Sequence, residues 1–378
     1  MCALQIPGSP QPGRSFTTST NRSLDLPKSW TVPHIEHVII FCAHNADEFV
    51  RIAATAHGDD RIHLPRENDV PAPPATSNMG SHVNSIVRTD NETVATTPMP
   101  PAAPRLQRAY GRGEVSFRRI GDATGLDRLY QEGQAKIRLP KTHGAPPVAV
   151  FLNTAGGVTG GDLILSRVDW GAETTATVTS QAAERIYKSS GAIGMIETTL
   201  TVGMGASAEW LPQETILFDR SRLKRLIRAD VAAAGTLLLV ETTVFGRSAM
   251  GETVRQCELA DHWRIRRAGR LVYADTLKIG GLGFPDRLGS VETTLAGTAT
   301  GSGATAVATI LLVSPEADAR LEALRSALDG ITVEAGASAW NGLLVARLIA
   351  PSARDLRRDF VAVLEAFRNK DLPRPWYC

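Results

Sequence analysis

The sequence of 378 residues is poor in the side chains from which most catalytic and metal sites are built. Its four cysteines are far apart, and no pair has the spacing of a zinc or redox motif. Most of its eight histidines precede residue 105, which leaves only His143 and His262 in the rest of the chain. Neither accompanies a serine elbow or a reactive cysteine. We therefore do not expect disulfides, a serine–histidine triad or a permanently bound nickel, zinc or copper ion.

Other shortages narrow the range of functions. Aromatic residues make up only 6% of the chain, which disfavours a large aromatic-lined cleft. The formal net charge is +2, too balanced to indicate binding to nucleic acid or to a membrane surface. No apolar run is long enough to span a bilayer, and the first residues, MCALQIPGSPQPGR, lack the pattern of a signal peptide. We therefore expect a protein of the reducing cytoplasm.

Composition divides the chain into two unequal parts. Residues 1–103 are rich in Pro, Ser, Thr and Asn, and their proline clusters are incompatible with a helix or a central strand. Residues 36–57 contain one short apolar run and room for one helix, too little for an independent core. Two interpretations are open: a mostly disordered extension, or residues upstream of a true start at Met79 or Met99. The folded domain is expected to comprise residues 104–378.

From residue 105 onward the pattern indicates a mainly β fold. Short runs alternate apolar and polar residues and are interrupted by Gly or Pro about every dozen residues, as in EVSFRRI, LILSRVDW, TLLLVETTVFG and TAVATILLV. A parallel α/β fold would need intervening helices of roughly ten residues or more, and the spacing leaves no room for them.

Two helices are predicted near the C-terminus. Residues 315–330 open with Pro and Glu and end at Gly. Residues 351–369 have Ser352 as a candidate N-cap and an apolar stripe that includes Leu356 and Phe360. Both are expected to pack against a sheet.

The glycine-rich stretch NTAGGVTGGD invites comparison with a phosphate-binding loop, but its details differ. It lacks the lysine of a Walker motif, its spacing is not GxGxxG, and a strand rather than a helix follows. The sequence instead predicts a structural turn in which the glycines adopt backbone angles closed to other residues: Gly156, Gly157, Gly160 and Gly161.

Carboxylates and a basic run are the remaining candidates for chemistry. Acidic residues lie beside several strand-like or Gly-rich segments, where they would bind divalent ions loosely or simply cap turns. They are Asp162, Glu184, Glu214, Asp219, Glu241, Glu252 and Asp275. The basic run RSRLKRLIR at residues 220–228 is typical of a solvated strand face, although it could also contact an acidic partner surface.

Four blocks, in this order, resemble the urease accessory protein family UreD, also called UreH: FLNTAGGVTGGD, TSQAAERIYKSSG, EWLPQETILFDRSRL and LLVETTVFGRSAMGE. The resemblance covers about residues 105–378. It implies a β-helix-like stack of strands with a small α-helical C-terminal part. It also implies a non-enzymatic maturation factor, or chaperone, that binds apo-urease and the protein UreF. With the GTPase UreG, such a factor helps to insert nickel into the urease active site.

The resemblance further implies an internal passage for nickel in transit, with no permanently bound cofactor. By motif match the passage role falls on Asp162 of the GGD turn, Glu241 of LLVETTVFGR and Asp275 of VYADTLKI. Family members often have an acidic residue directly after GGD, where this chain has Leu163. A paired carboxylate at that position is therefore not supported.

Two other interpretations remain open from the residues alone. A β-rich carbohydrate-active enzyme would need two carboxylates at a fixed separation in an aromatic-lined cleft. A plain β-solenoid binding module would need an internal repeat, and none is evident.

Overall fold

A computed structural model describes residues 37–45, 48–55, 107–247, 250–280, 289–297 and 300–377. Its contacts divide the chain into two units, Met1–Gln107 and Arg108–Cys378. In the first unit, β1 (His37–Asn45) and β2 (Glu48–Thr55) form an antiparallel hairpin, so this segment is two strands and not the helix for which the sequence had room. The rest of 1–103 lies outside the described residues, and the expectation of a disordered extension or a later start stays a prediction.

The second unit is built from two sheets. The first has the order β16–β15–β13–β10–β7–β3–β4, with the two-residue β17 paired to β15. Its strands are β3 (Tyr110–Ile120), β4 (Ala123–Gly133), β7 (Leu163–Trp170), β10 (Gly194–Val202), β13 (Arg222–Val231), β15 (Gln256–Arg267), β16 (Arg270–Ile279) and β17 (Gly289–Ser290).

The second sheet has the order β19–β20–β18–β14–β11–β8–β6–β5, with β12 lying between β14 and β9. Its strands are β5 (Ala135–Arg138), β6 (Val148–Asn153), β8 (Thr175–Ser180), β9 (Glu184–Ile186), β11 (Ser207–Leu211), β12 (Thr215–Leu217), β14 (Thr236–Phe245), β18 (Ala306–Val313), β19 (Glu334–Trp340) and β20 (Leu343–Ala350).

The chain alternates between the two sheets, and this alternation explains parallel pairing without helices. Strands β3, β7, β10, β13 and β15 pair in parallel in the first sheet, as do β6, β8, β11 and β14 in the second. Parallel neighbours need a long crossover connection. Here the crossover is a strand of the opposite sheet, where an α/β fold would use a helix. The expected mainly β, β-helix-like stack is therefore confirmed.

Apolar side chains fill the space between the sheets in two clusters. One includes Val168, Trp170, Leu200, Leu239 and Ile265. The other lies near the starts of the strands and beside β9 and β12. It includes Val158, Ile186, Leu217, Leu223, Cys257 and Leu259. These positions alternate along each strand with residues on the outer face, as the period of two requires. Polar side chains occupy the interior between the two clusters.

Both predicted helices are confirmed. The first is α2 (Leu321–Leu328), preceded by a 3-10 turn at Asp318–Arg320, and the second is α3 (Ala353–Arg368). The Ser352 hydroxyl accepts a hydrogen bond from the Asp355 N–H at 3.3 Å, as an N-cap should. Both pack on the outer face of the second sheet through an apolar cluster that contains Leu356 and Phe360. A third helix, α1 (Val291–Ala296), was not predicted.

Candidate functional site

The glycine-rich loop joins β6 to β7 and packs onto the segment that contains β9. Gly156, Gly157 and Gly161 have φ angles of 76°, 154° and 91°, which L side chains rarely adopt. At Gly160 a Cβ would overlap the Ser189 hydroxyl and the Ala192 carbonyl oxygen. The Tyr187 hydroxyl also donates to the Gly156 carbonyl oxygen at 3.1 Å. Three of the four glycines thus have the backbone angles that the sequence predicted. Gly160 does not have a positive φ, and the prediction is wrong for it; close contacts with its neighbours require a small residue there instead.

Asp162 ties this loop to the start of β3. Its Oδ1 accepts a hydrogen bond from the Ala109 N–H and its Oδ2 from the Thr159 N–H, each at 2.8 Å. The residue is 5% exposed. Both carboxylate oxygens thus bind backbone donors, which indicates a role in holding the loop.

Glu241 faces the interior from β14 and binds a buried arginine of the opposite sheet. Its Oε2 accepts from Arg225 Nη1 at 2.5 Å, and its Oε1 accepts from Trp210 Nε1 at 3.2 Å. Arg225 also makes a bidentate contact with Asp261 of β15, at 2.9 and 2.6 Å. All three charged residues are at most 7% exposed. One guanidinium therefore joins two buried carboxylates across the space between the sheets.

The same guanidinium extends the network along β12 and β14. It donates to the hydroxyls of Thr215 and Thr243 at 3.1 and 3.2 Å. Thr215 is registered beside Glu184 of β9, whose Oε1 accepts from Asn153 Nδ2 at 2.9 Å. The polar groups thus continue from Arg225 to the residues under the glycine-rich loop.

In the other direction, Asp275 of β16 lies next to the network through its register with Trp263. The Trp263 Nε1 donates to Asp261 Oδ2 at 3.3 Å, and Trp263 is registered opposite Asp275. Asp275 forms an ion pair with Arg347 of β20, whose side chain is 47% exposed. We call this set the polar layer: Glu184, Thr215, Arg225, Glu241, Thr243, Asp261, Asp275 and Arg347. It runs between the apolar clusters and reaches solvent at Arg347.

Acidic groups outnumber basic groups in the polar layer. It contains four carboxylates and two guanidinium groups. Arg225 binds Glu241 and Asp261, Arg347 binds Asp275, and Glu184 accepts its hydrogen bond from Asn153. Burial raises the pKa of Glu241, and the charge of Asp261 adds to this, while Arg225 and Trp210 act in the opposite direction. Burial therefore favours the binding of a proton or of another cation by these carboxylates.

Of the three acids predicted to line a passage, the structure brings two into the polar layer. Glu241 and Asp275 belong to it, whereas Asp162 shares no hydrogen-bond partner with them. Glu184 was among the candidate carboxylates, whereas sequence reasoning missed Arg225 and Asp261 as members. The alternation Leu223–Arg225–Ile227 was the available signal for Arg225, because it places the arginine on the side of its apolar neighbours.

The other candidates have separate partners. Asp219 accepts hydrogen bonds from the N–H groups of Arg255 and Gln256, and Glu214 pairs with Arg357. Cys257 is a free, buried thiol whose pKa is raised to about 12, mainly by burial. Within the described ranges, no group of three or more His, Cys, Asp or Glu residues is placed to hold a metal ion. No described helix is both long and apolar enough to cross a bilayer.

Glu184 provides a test of the electrostatics of the polar layer. Burial of its carboxyl raises its pKa from 4.5 to about 7, against the opposing effect of Asn153. The folded chain therefore keeps a proton that the unfolded chain releases above pH 4.5. The contribution of this proton to the free energy of unfolding is complete below pH 4.5 and is lost as the pH rises through about 7. Glu184→Gln should gain free energy of unfolding over the parental chain between about pH 5 and pH 8.

Thermal unfolding across this pH range measures the effect. Glu322→Gln serves as the control, because the Glu322 side chain is 80% exposed on α2. A difference between Glu184→Gln and the parental chain that does not change with pH would contradict the assignment.

Comparisons with known proteins identify the family. Residues 109–377 match the family model described as UreD urease accessory protein. A urease accessory protein UreD from Methylobacterium sp. (strain 4-46) is 44% identical over 73% of this chain and 97% of its own length. Another from Chelativorans sp. (strain BNC1) is 45% identical over 72% of this chain and 95% of its own length. A third, from Rhizobium etli, is 43% identical over 72% and 97%. The chain therefore belongs to the UreD family of urease accessory proteins.

Proposed function

We propose that this protein is a non-enzymatic scaffold of urease maturation in the cytoplasm. It binds apo-urease together with UreF and the GTPase UreG, and it assists the insertion of nickel into the urease active site. In this scheme nickel is cargo in transit, and the GTP chemistry belongs to UreG. No nucleic acid, membrane or permanently bound cofactor takes part. Membership of the UreD family supports the accessory role.

The polar layer is the observation that carries the nickel part of this proposal. It offers carboxylate and hydroxyl oxygens from Glu184 to Asp275, and its carboxylates exceed its guanidinium groups. Oxygen donors bind a late transition-metal ion less tightly than imidazole or thiolate groups do. Such a layer favours passage of Ni²⁺ over its retention.

Within the polar layer, Glu241 is the best-placed group for this role. It binds the Arg225 guanidinium at the centre of the network, and its carboxylate oxygens are donors that an arriving cation could share. Asp275 lies where the layer reaches solvent, which suits entry or exit. The passage role of Asp162 has less support, because both of its oxygens bind backbone N–H groups.

The carbohydrate-enzyme alternative fits this geometry less well. Glycosidases need two carboxylates flanking a bond of a sugar substrate. The buried carboxylates of Glu241 and Asp261 instead bind the same guanidinium group. A sugar ring would have to displace Arg225 to lie between them.

Co-expression with urease tests the proposed function. Apo-urease, UreF and UreG are produced with and without this chain under limiting nickel, and urease activity and bound nickel are measured. We expect both to rise only when the chain is present, with the chain recovered in a complex with its partners. Versions of the chain that start at Met1, Met79 and Met99 address the start site in the same assay. Equal activation without the chain, or no complex with any partner, would refute the proposal.

A further inference from the structure

The outer face of the first sheet carries a regular array of basic and apolar side chains. Three registered rows cross strands β7, β10, β13, β15 and β16 on this face. The rows are Leu163–Met195–Lys224–Ala260–Lys278, Leu165–Glu197–Leu226–His262–Thr276 and Arg167–Thr199–Arg228–Arg264–Ala274. We call these residues the basic face. They alternate with inward-facing residues such as Arg225 and Ile227.

The basic face has a strong excess of positive charge. Its three rows contain five cations, Arg167, Lys224, Arg228, Arg264 and Lys278, and one carboxylate, Glu197. Three further carboxylates border these rows on the same side of the sheet: Glu114, Asp169 and Asp230. Glu197 lies 3.6 Å from Arg228. This local excess contrasts with the near-neutral chain as a whole, whose formal net charge is +2. The face therefore produces a positive potential that the overall charge does not reveal.

The ionisation of His262 responds to this potential. Its pKa is lowered first by partial burial and then by Arg264, Lys224 and Lys278, whereas Asp261 on the inner side acts in the opposite direction. Neighbouring cations disfavour a further positive charge. The basic face is thus electropositive at its centre as well as at its margins.

Apolar side chains lie among the cations. Leu163, Leu165, Met195 and Leu226 are all partly exposed on the basic face. Sheets of parallel strands are normally covered on both faces. The second sheet has α2 and α3 on its outer face, but no described helix packs on the basic face. Partly exposed leucines on a parallel sheet that no described element covers are typical of a surface that a partner covers.

We propose that the basic face is a docking surface for a protein whose matching surface is acidic with an apolar centre. The proposal rests on the scaffold function above and names the surface through which this chain holds one of its partners. Charge complementarity selects the occupant, because five cations need an acidic counterpart. The apolar side chains favour a protein over nucleic acid, whose phosphates would contact the cations and leave the leucines exposed.

Charge reversal at two registered lysines tests the docking surface. Lys224 and Lys278 lie in one row on either side of Ala260, with no acidic residue between them. The full chain and its Lys224→Glu/Lys278→Glu variant are titrated separately against purified apo-urease, UreF and UreG. We expect the variant to bind one of these proteins on the order of tenfold more weakly at low salt, with a smaller difference at high salt.

Two further variants make the comparison specific. Arg354→Glu is the matched control, because Arg354 is an exposed cation on α3, the helix that covers the second sheet. It should bind like the parental chain. Lys224→Arg/Lys278→Arg should also retain binding, because it keeps both charges. Equal thermal stability of all variants ensures that a loss of binding reflects the surface.

Each remaining outcome decides the proposal. If the parental chain binds a partner and the reversed variant binds it equally well, the basic face is not the docking surface and the scaffold function stands. If the parental chain binds none of the three proteins, the scaffold function fails and this inference fails with it. Reversal that weakens binding to a duplex oligonucleotide alone, or that dissociates a homodimer, would assign the face to nucleic acid or to a second copy. Carboxyl–amine cross-links from Lys224 to residues 1–107 in the partner-free chain would assign it to the chain's own N-terminal unit.

Discussion

Arg225→Met is expected to lower the free energy of unfolding by about 3–5 kcal/mol. The substitution leaves the carboxylates of Glu241 and Asp261 in the interior without the guanidinium that each contacts within 2.6 Å. It also removes the donor shared by Thr215 and Thr243. Buried charges that lose a cationic partner must take up protons or admit water, and both processes cost stability. Denaturant or thermal unfolding of the chain measures the loss.

Arg228→Met provides the matched control on the same strand. The Arg228 side chain is 53% exposed on the basic face, so its removal should change stability by no more than about 0.5 kcal/mol. Adding Asp261→Asn to Arg225→Met should recover part of the loss, because it removes one unpaired charge. Equal stability of Arg225→Met and Arg228→Met would contradict the assigned role of the buried network.

Glu241→Gln is expected to reduce urease activation at limiting nickel by roughly tenfold, the scale seen when residues that support a metal ligand are lost. Glutamine preserves the size of the side chain and one acceptor oxygen, but it removes the negative charge that would attract a cation. Assembly with UreF should persist, because Glu241 is buried between the sheets. Excess nickel should restore part of the activity. The measurements are urease activity and bound nickel across a nickel titration.

Glu209→Gln is a demanding control for this effect. Glu209 is also a buried glutamate of the second sheet and is paired with Arg368 at 2.9 Å, but it lies on the side facing α3 and outside the polar layer. Burial alone would raise the pKa of Glu209, but Arg368 and Lys370 act in the opposite direction, and the pKa is lowered overall. If Glu209→Gln reduces activation as much as Glu241→Gln, or if neither does, the passage assignment is wrong. Asp162→Asn adds a third comparison for the residue that the motif match placed in the passage.

The sequence predicted the elements of this fold better than their arrangement. The apolar stripe that includes Leu356 and Phe360 is sufficient to predict α3, because a helical period identifies a buried face without reference to other elements. Alternation along a strand shows which side chains point inward, but it does not identify the neighbouring strand. The parallel pairing of β10 with β13 therefore could not be obtained from periodicity alone.

The same limitation explains the incomplete prediction of the site. The run RSRLKRLIR was interpreted as a solvated face, yet it divides by alternation: Arg225 is buried in the polar layer, while Lys224 and Arg228 lie on the basic face. Arg222 of the same run is also buried and pairs with Glu258. Asp261 becomes a partner of Arg225 only through the register of β13 with β15. Motif resemblance identified Glu241 and Asp275, but the contacts that join them depend on tertiary pairing.

The four outermost strands of the two sheets end the parallel stack. In the described part of the chain, β4 and β16 end the first sheet and β5 and β19 end the second, each antiparallel to its neighbour. A coil of parallel turns with bare ends would offer every copy a continuation of its own hydrogen-bond ladder, and such copies would polymerise end to end. The reversed terminal strands interrupt that repeat, so the ends of the described stack do not continue the parallel turns of its middle.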